Sequence, residues 1–391
     1  MTPVPAPLRE RADACPGALQ THTAADGELA RVRVPGGMLS AGQLRVLAAA
    51  ARELGDGSVE LTSRGNVQLR GIVAGSQGAL GVRLAAAGLL PSDTHERARN
   101  VVASVLSGRT EGGHVDVRPW VGAFDAGLCA DAALAGLPGR FLLTVDDGRG
   151  DVAGLGGDVG LLALDPVTVA LTLAGTDSGL RIDPAGAVPL ALAAARAFLA
   201  ERAAQGSPAW RLAELTDGPA RVAARLPGSP GRLGWTEVPV APTVGRVGAA
   251  EQVDGRTALL GMTRLGRLSA DQLDLLASLA AEVQVTPWRT VVVPDLAEDA
   301  VDDAAVDLHR TGLVFDEASP WTLVTACAGR PGCARSLADV RADAVTAVTT
   351  RTLPAGGARQ HWVGCERRCG RPQGEVVDVV ATPTGYRVEK D

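Results

Sequence analysis

The chain has 391 residues, 46% of them hydrophobic and 21% charged, and a formal net charge of −6. That length and composition suit a soluble protein of two or three domains, and no basic block marks a nucleic-acid partner. No apolar run is long enough for a membrane span: Arg196 breaks 188–200, and Asp165 with Pro166 breaks 159–173. The N-terminal MTPVPAPLRERAD lacks the charged-then-apolar order of a signal peptide, so a cytoplasmic protein is expected. Lys390 is the sole lysine, so an arginine where lysine is usual carries little meaning here.

In chain order, the first strong signal is MLSAGQLRVLAAAARELG (38–55). Ser40 and Gln43 form a capping-box pattern, and Leu44 and Leu47 recur at helical spacing, which predicts a helix behind Ser40. ELTSRGNVQLRGI (60–72) then alternates, with Glu60, Thr62, Arg64, Asn66, Gln68 and Arg70 on one parity. Read as one strand, it puts these polar side chains on a single face, with Arg64 and Arg70 about 20 Å apart. VDDGRGD (145–151) reads as a hairpin-like turn and favours antiparallel sheet in an α+β fold. RLPGSPGRLGWTEVPVAPTVG (225–245), rich in Pro and Gly, reads as a linker.

Beyond the linker the chain repeats itself. RLSADQLDLLASLAAEVQ (267–284) matches the first helix segment, with Ser269 lying 229 residues after Ser40. VQVTPWRTVVV (283–293) follows as VELTSRGNVQL (59–69) does, and NVVASVLSG (100–108) aligns with LVTACAGRPG (323–332), pairing Ser104 with Cys327. Ordered matches at slowly drifting offsets indicate a duplication, with halves at about 15–235 and 245–391. Trp288, not Arg289, falls opposite Arg64.

Four of the six cysteines lie near the C-terminus, as Cys327-x5-Cys333 and Cys365-x3-Cys369. The x5 loop is longer than a zinc knuckle usually allows, and its Gly and Pro residues let backbone wrap a bulkier centre such as an iron–sulfur cubane. A zinc site and four buried core cysteines are the other readings.

Several segments now combine: CPG (15–17), DGELARVRVPGG (26–37), LTSRGNVQLRG (61–71), ARNVVAS (98–104), LPGRF (137–141), TACAGRPGCARSLADVR (325–341) and HWVGCERRCGRP (361–372). Together they resemble the sulfite/nitrite reductase superfamily over nearly the whole chain and, within it, the precorrin-3B synthase family. The resemblance implies an internally duplicated α+β fold. Two ferredoxin-like half-domains (15–80 and 245–300) alternate with two larger mixed α/β modules (90–235 and 305–391), the last carrying the cysteines.

It also implies a 4Fe–4S cluster on Cys327, Cys333, Cys365 and Cys369, and a tetrapyrrole whose carboxylates meet arginine. Arg31, Arg33, Arg64, Asn66, Gln68, Arg70, Arg99, Arg140 and Arg289 are the residues expected to face those carboxylates. The reaction implied is hydroxylation of precorrin-3A at C20 by O2, with γ-lactone closure, in aerobic cobalamin biosynthesis. The family is associated with a mononuclear non-haem iron, and the reaction needs an external electron donor, a protein or one drawing on NAD(P)H. No facial-triad motif is legible for that iron; His22, His114 and His361 are its candidates. His361, four residues before Cys365 as in the synthases, is expected to be catalytic.

Two alternatives stand beside this. A sirohaem-dependent sulfite or nitrite reductase would need two lysines in a Leu-Pro-x-Lys-x-Lys segment, where this chain has Arg140 and Leu142. A non-catalytic zinc protein is the other. The insert Glu366-Arg367-Arg368 departs from the patterns of both reductases and synthases.

Overall fold

The computed structural model describes residue 13 and residues 15–226, 236–240, 242 and 245–390. Much of the expected linker at 225–245 and most of the N-terminal segment lie outside the described residues. Short strands and helices follow one another from the start. The chain forms β1 (His22–Ala24), β2 (Gly27–Val32), β3 (Met38–Ser40), α1 (Ala41–Leu54), β4 (Ser58–Leu61), β5 (Val67–Ile72) and α2 (Gln77–Ala86). Next come β6 (Val101–Ala103), α3 (Arg118–Ala130), β7 (Leu143–Asp146), β8 (Val159–Ala163), β9 (Val169–Leu173), β10 (Thr176–Ile182), α4 (Ala187–Ala204) and α5 (Gly218–Ala223). The second half opens with β11 (Gly248–Glu251), β12 (Thr257–Met262), β13 (Arg267–Ser269), α6 (Ala270–Leu279), β14 (Glu282–Val285), β15 (Thr290–Leu296) and α7 (Val301–Arg310). It closes with β16 (Val324–Ala326), α8 (Val340–Thr349), β17 (Gln360–Val363), β18 (Val377–Thr382) and β19 (Gly385–Glu389). No helix among the described residues is long and apolar enough to cross a membrane.

These elements fall into two compact units. One comprises the chain through Gly17, Arg33–Gly37 and Leu90–Pro242; the other comprises Ala18–Val32, Met38–Leu89 and the chain from Thr243. The four-segment division expected from the sequence is thus regrouped, because both half-domains and the cysteine-bearing module share the second unit.

Within that second unit the half-domains are interlocked by exchange. One sheet has the order β1-β2-β5-β4-β13 and the other β11-β12-β15-β14-β3, so each copy lends a short strand to its twin. The capping serines make this exchange possible. Ser40 and Ser269 each accept a hydrogen bond from the N3 amide (3.2 and 3.1 Å), while Gln43 and Gln272 accept from the serine amides. Each helix therefore starts directly at the lent strand's last residue, and Leu44, Leu47, Leu273 and Leu276 are buried behind it. Replacing Ser269 with alanine should cost about 1 kcal/mol in urea unfolding. An unchanged midpoint would show that the box does not carry the junction.

The expected single strand over 60–72 is corrected by the structure: the chain turns between β4 and β5. Thr62 N–H donates to Asn66 O (2.9 Å), Gly65 N–H donates to Thr62 O (3.1 Å), and Gly65 sits at φ 64°. The second copy turns identically. Thr286 donates to Thr290 O and Arg289 to Thr286 O (both 3.0 Å), with Arg289 at φ 63° in Gly65's place. A hydroxyl able to bond local backbone and a Gly-Asn pair outcompete the extended ladder here.

In the first unit β6, β7 and β8 are parallel and β8, β9 and β10 antiparallel. The hairpin expected at 145–151 is absent; that loop leads from β7 toward a parallel neighbour. Asp146 bends it by accepting from the N–H groups of Gly148, Gly150, Val152 and Ala153. Ser104, the counterpart of Cys327, donates to Asp151 (2.6 Å), whose other oxygen accepts from Val105 N–H (2.9 Å).

Burial first, and then the neighbouring Asp146 charge, push Asp151 up to about 6. A raised folded-state value means that this carboxyl favours the folded state below about pH 4, the unfolded value, and loses that contribution as pH climbs through about 6. The loss amounts to about 3 kcal/mol at most. Thermal melts of Asp151→Asn should therefore vary less with pH between 4 and 6.5 than those of the parent. Identical pH slopes would refute the assignment.

Candidate functional site

The cysteines sit on two loops that leave the adjacent parallel strands β16 and β17. Cys327 follows β16 directly, and its N–H donates to Trp362 O in β17 (2.9 Å). Gly364, which follows β17, donates its N–H to Cys327 Sγ (3.3 Å), and Leu337 donates to Gly364 O (2.9 Å). A side chain at Gly364 would collide with Ser336, so only glycine lets the two loops close on each other. Cys327, Cys333 and Cys365 are half-buried and Cys369 is exposed. Burial pushes the Cys327 thiol up, while N–H groups of Gly364 and Gly329 and the Arg341 charge act the other way.

This donor set fits an iron–sulfur cluster: four thiols, two Gly-rich loops and amides aimed at sulfur. It fits zinc less well. The five-residue spacing of Cys327 and Cys333 is longer than a zinc knuckle usually has. Among the described residues the sole trio of ligating side chains mutually within 4.8 Å is Asp146, Asp147 and Asp151, in the other unit. Those carboxylates are filled by backbone amides, Ser104 and Arg149.

Beneath the first loop lies the polar row that the sequence singled out. Sheet register sets Arg31 opposite Gln68 and Gln68 opposite Glu60. Arg31 donates to Gln68 (2.9 Å), Gln68 to Glu60 (2.8 Å), and Glu60 accepts from Arg341 of α8 (2.5 Å). Arg341 then donates to Cys327 O (3.2 Å). Two residues along β5, Arg70 holds Asp26 through two bonds of 3.0 Å and donates to Gly332 O (2.6 Å), next to Cys333. A side chain at Gly332 would press on that Arg70–Asp26 pair. Both cysteines of the first loop are thus clamped from the first half-domain.

Comparison with known proteins agrees with this architecture. Residues 22–87 match the nitrite/sulfite reductase ferredoxin-like half domain. A precorrin-3B synthase of Sinorhizobium sp is 25% identical over 380 residues, covering 96% of this chain and 82% of that protein. A ferredoxin–nitrite reductase of Synechococcus elongatus is 26% identical over 403 residues, covering 93% and 77%. The structure of the Mycobacterium tuberculosis NirA protein matches with a TM-score of 0.72 at 21% identity, covering 92% of this chain and 74% of that one. Over nearly its whole length the chain is similar to proteins of the sulfite/nitrite reductase superfamily.

Set in the sulfite/nitrite reductase fold, the expected site residues divide. Gln68 and Arg70 are corrections: they are buried and bonded to Glu60, Asp26 and the Gly332 carbonyl, so they brace the cysteine loop instead of facing a ligand. Arg99 is corrected likewise, holding Asp125 bidentately at 2.7 Å. Arg33 is buried, and it donates to the carbonyls of Arg97, Pro16 and Gly139 and to Cys15 Sγ. Asn66 is buried at the end of the turn. Arg64 is half-buried at the turn, and its backbone N–H bonds Thr62 Oγ1 (3.4 Å). Arg140, exposed in the first unit, lies over the Trp210 ring at 5.2 Å. Arg289 donates to Gly370 O (3.1 Å).

His361 needs the same correction. It is fully buried, with Nε2 at 3.1 Å from Cys369 O and Nδ1 at 2.9 Å from Thr325 Oγ1. A carbonyl only accepts, so Nε2 carries the proton and Nδ1 accepts from the hydroxyl. Neither nitrogen keeps a lone pair for a metal, and burial pushes the ring down to about 3. His361 is a brace for the second loop. Neither it nor His22 nor His114 joins a trio of ligating groups mutually within 4.8 Å among the described residues.

The sequence reading missed Glu60, Arg341 and Asp26 as site residues. Glu60 stood in the alternating row, and Asp26 and Arg341 in the quoted motifs, yet only the fold joins residues so far apart. The odd insert between Cys365 and Cys369 also finds a use. Arg368 and Arg371 hold the buried Asp378 (2.7 and 3.0 Å), which pins the second loop to β18.

Proposed function

We propose that this protein binds a 4Fe–4S cluster through Cys327, Cys333, Cys365 and Cys369 and acts as a precorrin-3B synthase. It would hydroxylate precorrin-3A at C20 with O2 and close the γ-lactone. One oxygen atom enters the substrate, and the other leaves as water with two electrons and two protons from an external donor. A bound cluster would supply one-electron chemistry. This chain's own residues would hold it and present arginines to a carboxylate-rich macrocycle; in the unit that carries the cysteines, Arg31, Arg64 and Arg289 are half-buried and keep solvent-facing surface.

The observation that carries this reading over the reductase one is Leu142. The resemblance assigns that position to a lysine in the anion reductases. Here Leu142 is buried, and its N–H donates to Asp158 (2.8 Å), so its place neither protonates nor grips an oxyanion. The similarity to the nitrite reductase of Synechococcus elongatus keeps sirohaem-dependent anion reduction as the competing reading.

The test is turnover. Anaerobically purified protein, given precorrin-3A, a reductant and 18O2, should yield a product heavier by one labelled oxygen atom. Sirohaem absorption bands in the purified protein, with nitrite or sulfite reduction and no oxygen insertion, would overturn the reading.

A further inference from the structure

Arg289 occupies a place that its twin gives to glycine. The turns at Thr62–Asn66 and Thr286–Thr290 share their hydrogen bonds, and Arg289 at φ 63° stands where Gly65 has φ 64°. For a residue with a side chain the left-handed region is unfavourable, while glycine adopts it freely. The fold also makes room for this arginine. Gly266 lies against it, where an added Cβ would sit 2.6 Å from Arg289 Cδ. The guanidinium reaches Gly370 O (3.1 Å), one residue beyond Cys369.

Its charge balance differs from that of Arg70 and Arg341, which clamp the first cysteine loop. Arg70 is matched by Asp26 and Arg341 by Glu60. Among the described residues, no carboxylate lies within 4.0 Å of Arg289, and both Glu60 oxygens are bonded to Gln68 and Arg341. Arg289 thus brings a positive charge without a carboxylate partner to the second cysteine loop, one residue beyond Cys369. Persistent backbone strain that delivers a side chain to a site points to a use at that site.

We propose that Arg289 is the fixed counter-charge of the cluster, a positioning residue that stabilises its reduced, more anionic form from a strained turn. The inference rests on the cluster reading given under Proposed function. A thiolate-bound cluster is anionic and gains a negative charge on reduction, so a nearby guanidinium raises its potential.

Arg289→Gly tests this cleanly, because it installs the residue the first copy uses and removes strain instead of adding it. Its melting temperature should equal or exceed that of the parent. In a redox titration followed by the electron paramagnetic resonance of the reduced cluster, the ratio of reduced to oxidised cluster should fall about tenfold at the potential where the parent is half reduced. Arg289→Lys, which keeps the charge, should stay within about threefold of the parent. A parent-like ratio in a fully loaded Arg289→Gly protein would overturn the proposal, as would a lysine variant indistinguishable from the glycine one. If the parent itself carries no iron and sulfide, the cluster reading fails first, and this inference falls with it.

Discussion

Replacing Cys365 by serine is expected to remove iron and acid-labile sulfide from the protein while its half-domains remain folded. A serine hydroxyl stays protonated where a thiol ionises, so the fourth ligand is lost. The loop geometry makes the loss severe. Cys365 follows Gly364, whose N–H bonds Cys327 Sγ and whose carbonyl accepts from Leu337, so this one segment joins both loops. Among the described residues the half-domain sheets take no bond from Cys365, and they should keep their circular dichroism. Metal binding contributes directly to folded-state stability, so the melting temperature should fall to that of chelator-treated parent protein. A variant loaded to the parent level with iron would remove Cys365 from the ligand set.

Glu60→Gln should be nearly as damaging, though no motif marks this residue as functional. The side chain is largely buried, with one oxygen on Arg341 and the other on Gln68. An amide replaces one acceptor with a donor and leaves the Arg341 guanidinium without its counter-charge. Breaking such a buried pair costs about 3–5 kcal/mol. Arg341 holds the Cys327 carbonyl, so the loss should appear twice: a lower urea midpoint, and less iron per chain at equal protein concentration. Glu60→Gln combined with Arg341→Gln should cost less than the sum of the two single changes, because the residues act as a unit. Strict additivity, or parent-like iron in Glu60→Gln, would contradict the clamp.

The duplication and the fold class were legible because they depend on local signals. Two Ser-x-x-Gln caps announce two helices whatever surrounds them, and a four-cysteine pattern with glycines needs no partner to be read. The strand exchange was not legible, since β3 and β13 are three residues each and their partners lie in the other copy. The alternation over 60–72 misled for a related reason. Period-two polarity continued through Ser-Arg-Gly-Asn, a run whose Gly and Asn are themselves a turn signal. Arg70 and Arg99 were misread because the sequence tells which side chains carry charge but not which carboxylate lies opposite. Asp26, Asp125 and Glu60 neutralise Arg70, Arg99 and Arg341 only once the sheets and helices have assembled. Asp26 and Arg70 are separated in sequence by 44 residues, and Glu60 and Arg341 by 281.

The polar row over 60–72 therefore has a different meaning from the one its alternation suggested. Arg31, Gln68, Glu60 and Arg70 form the bed on which the first cysteine loop rests, and every later step depends on that loop holding iron and sulfide. The direct measurement is the iron and acid-labile sulfide content of the full-length protein purified without oxygen. The account predicts about four of each per chain, as in a cubane cluster. Zinc in their place, without sulfide, would contradict it.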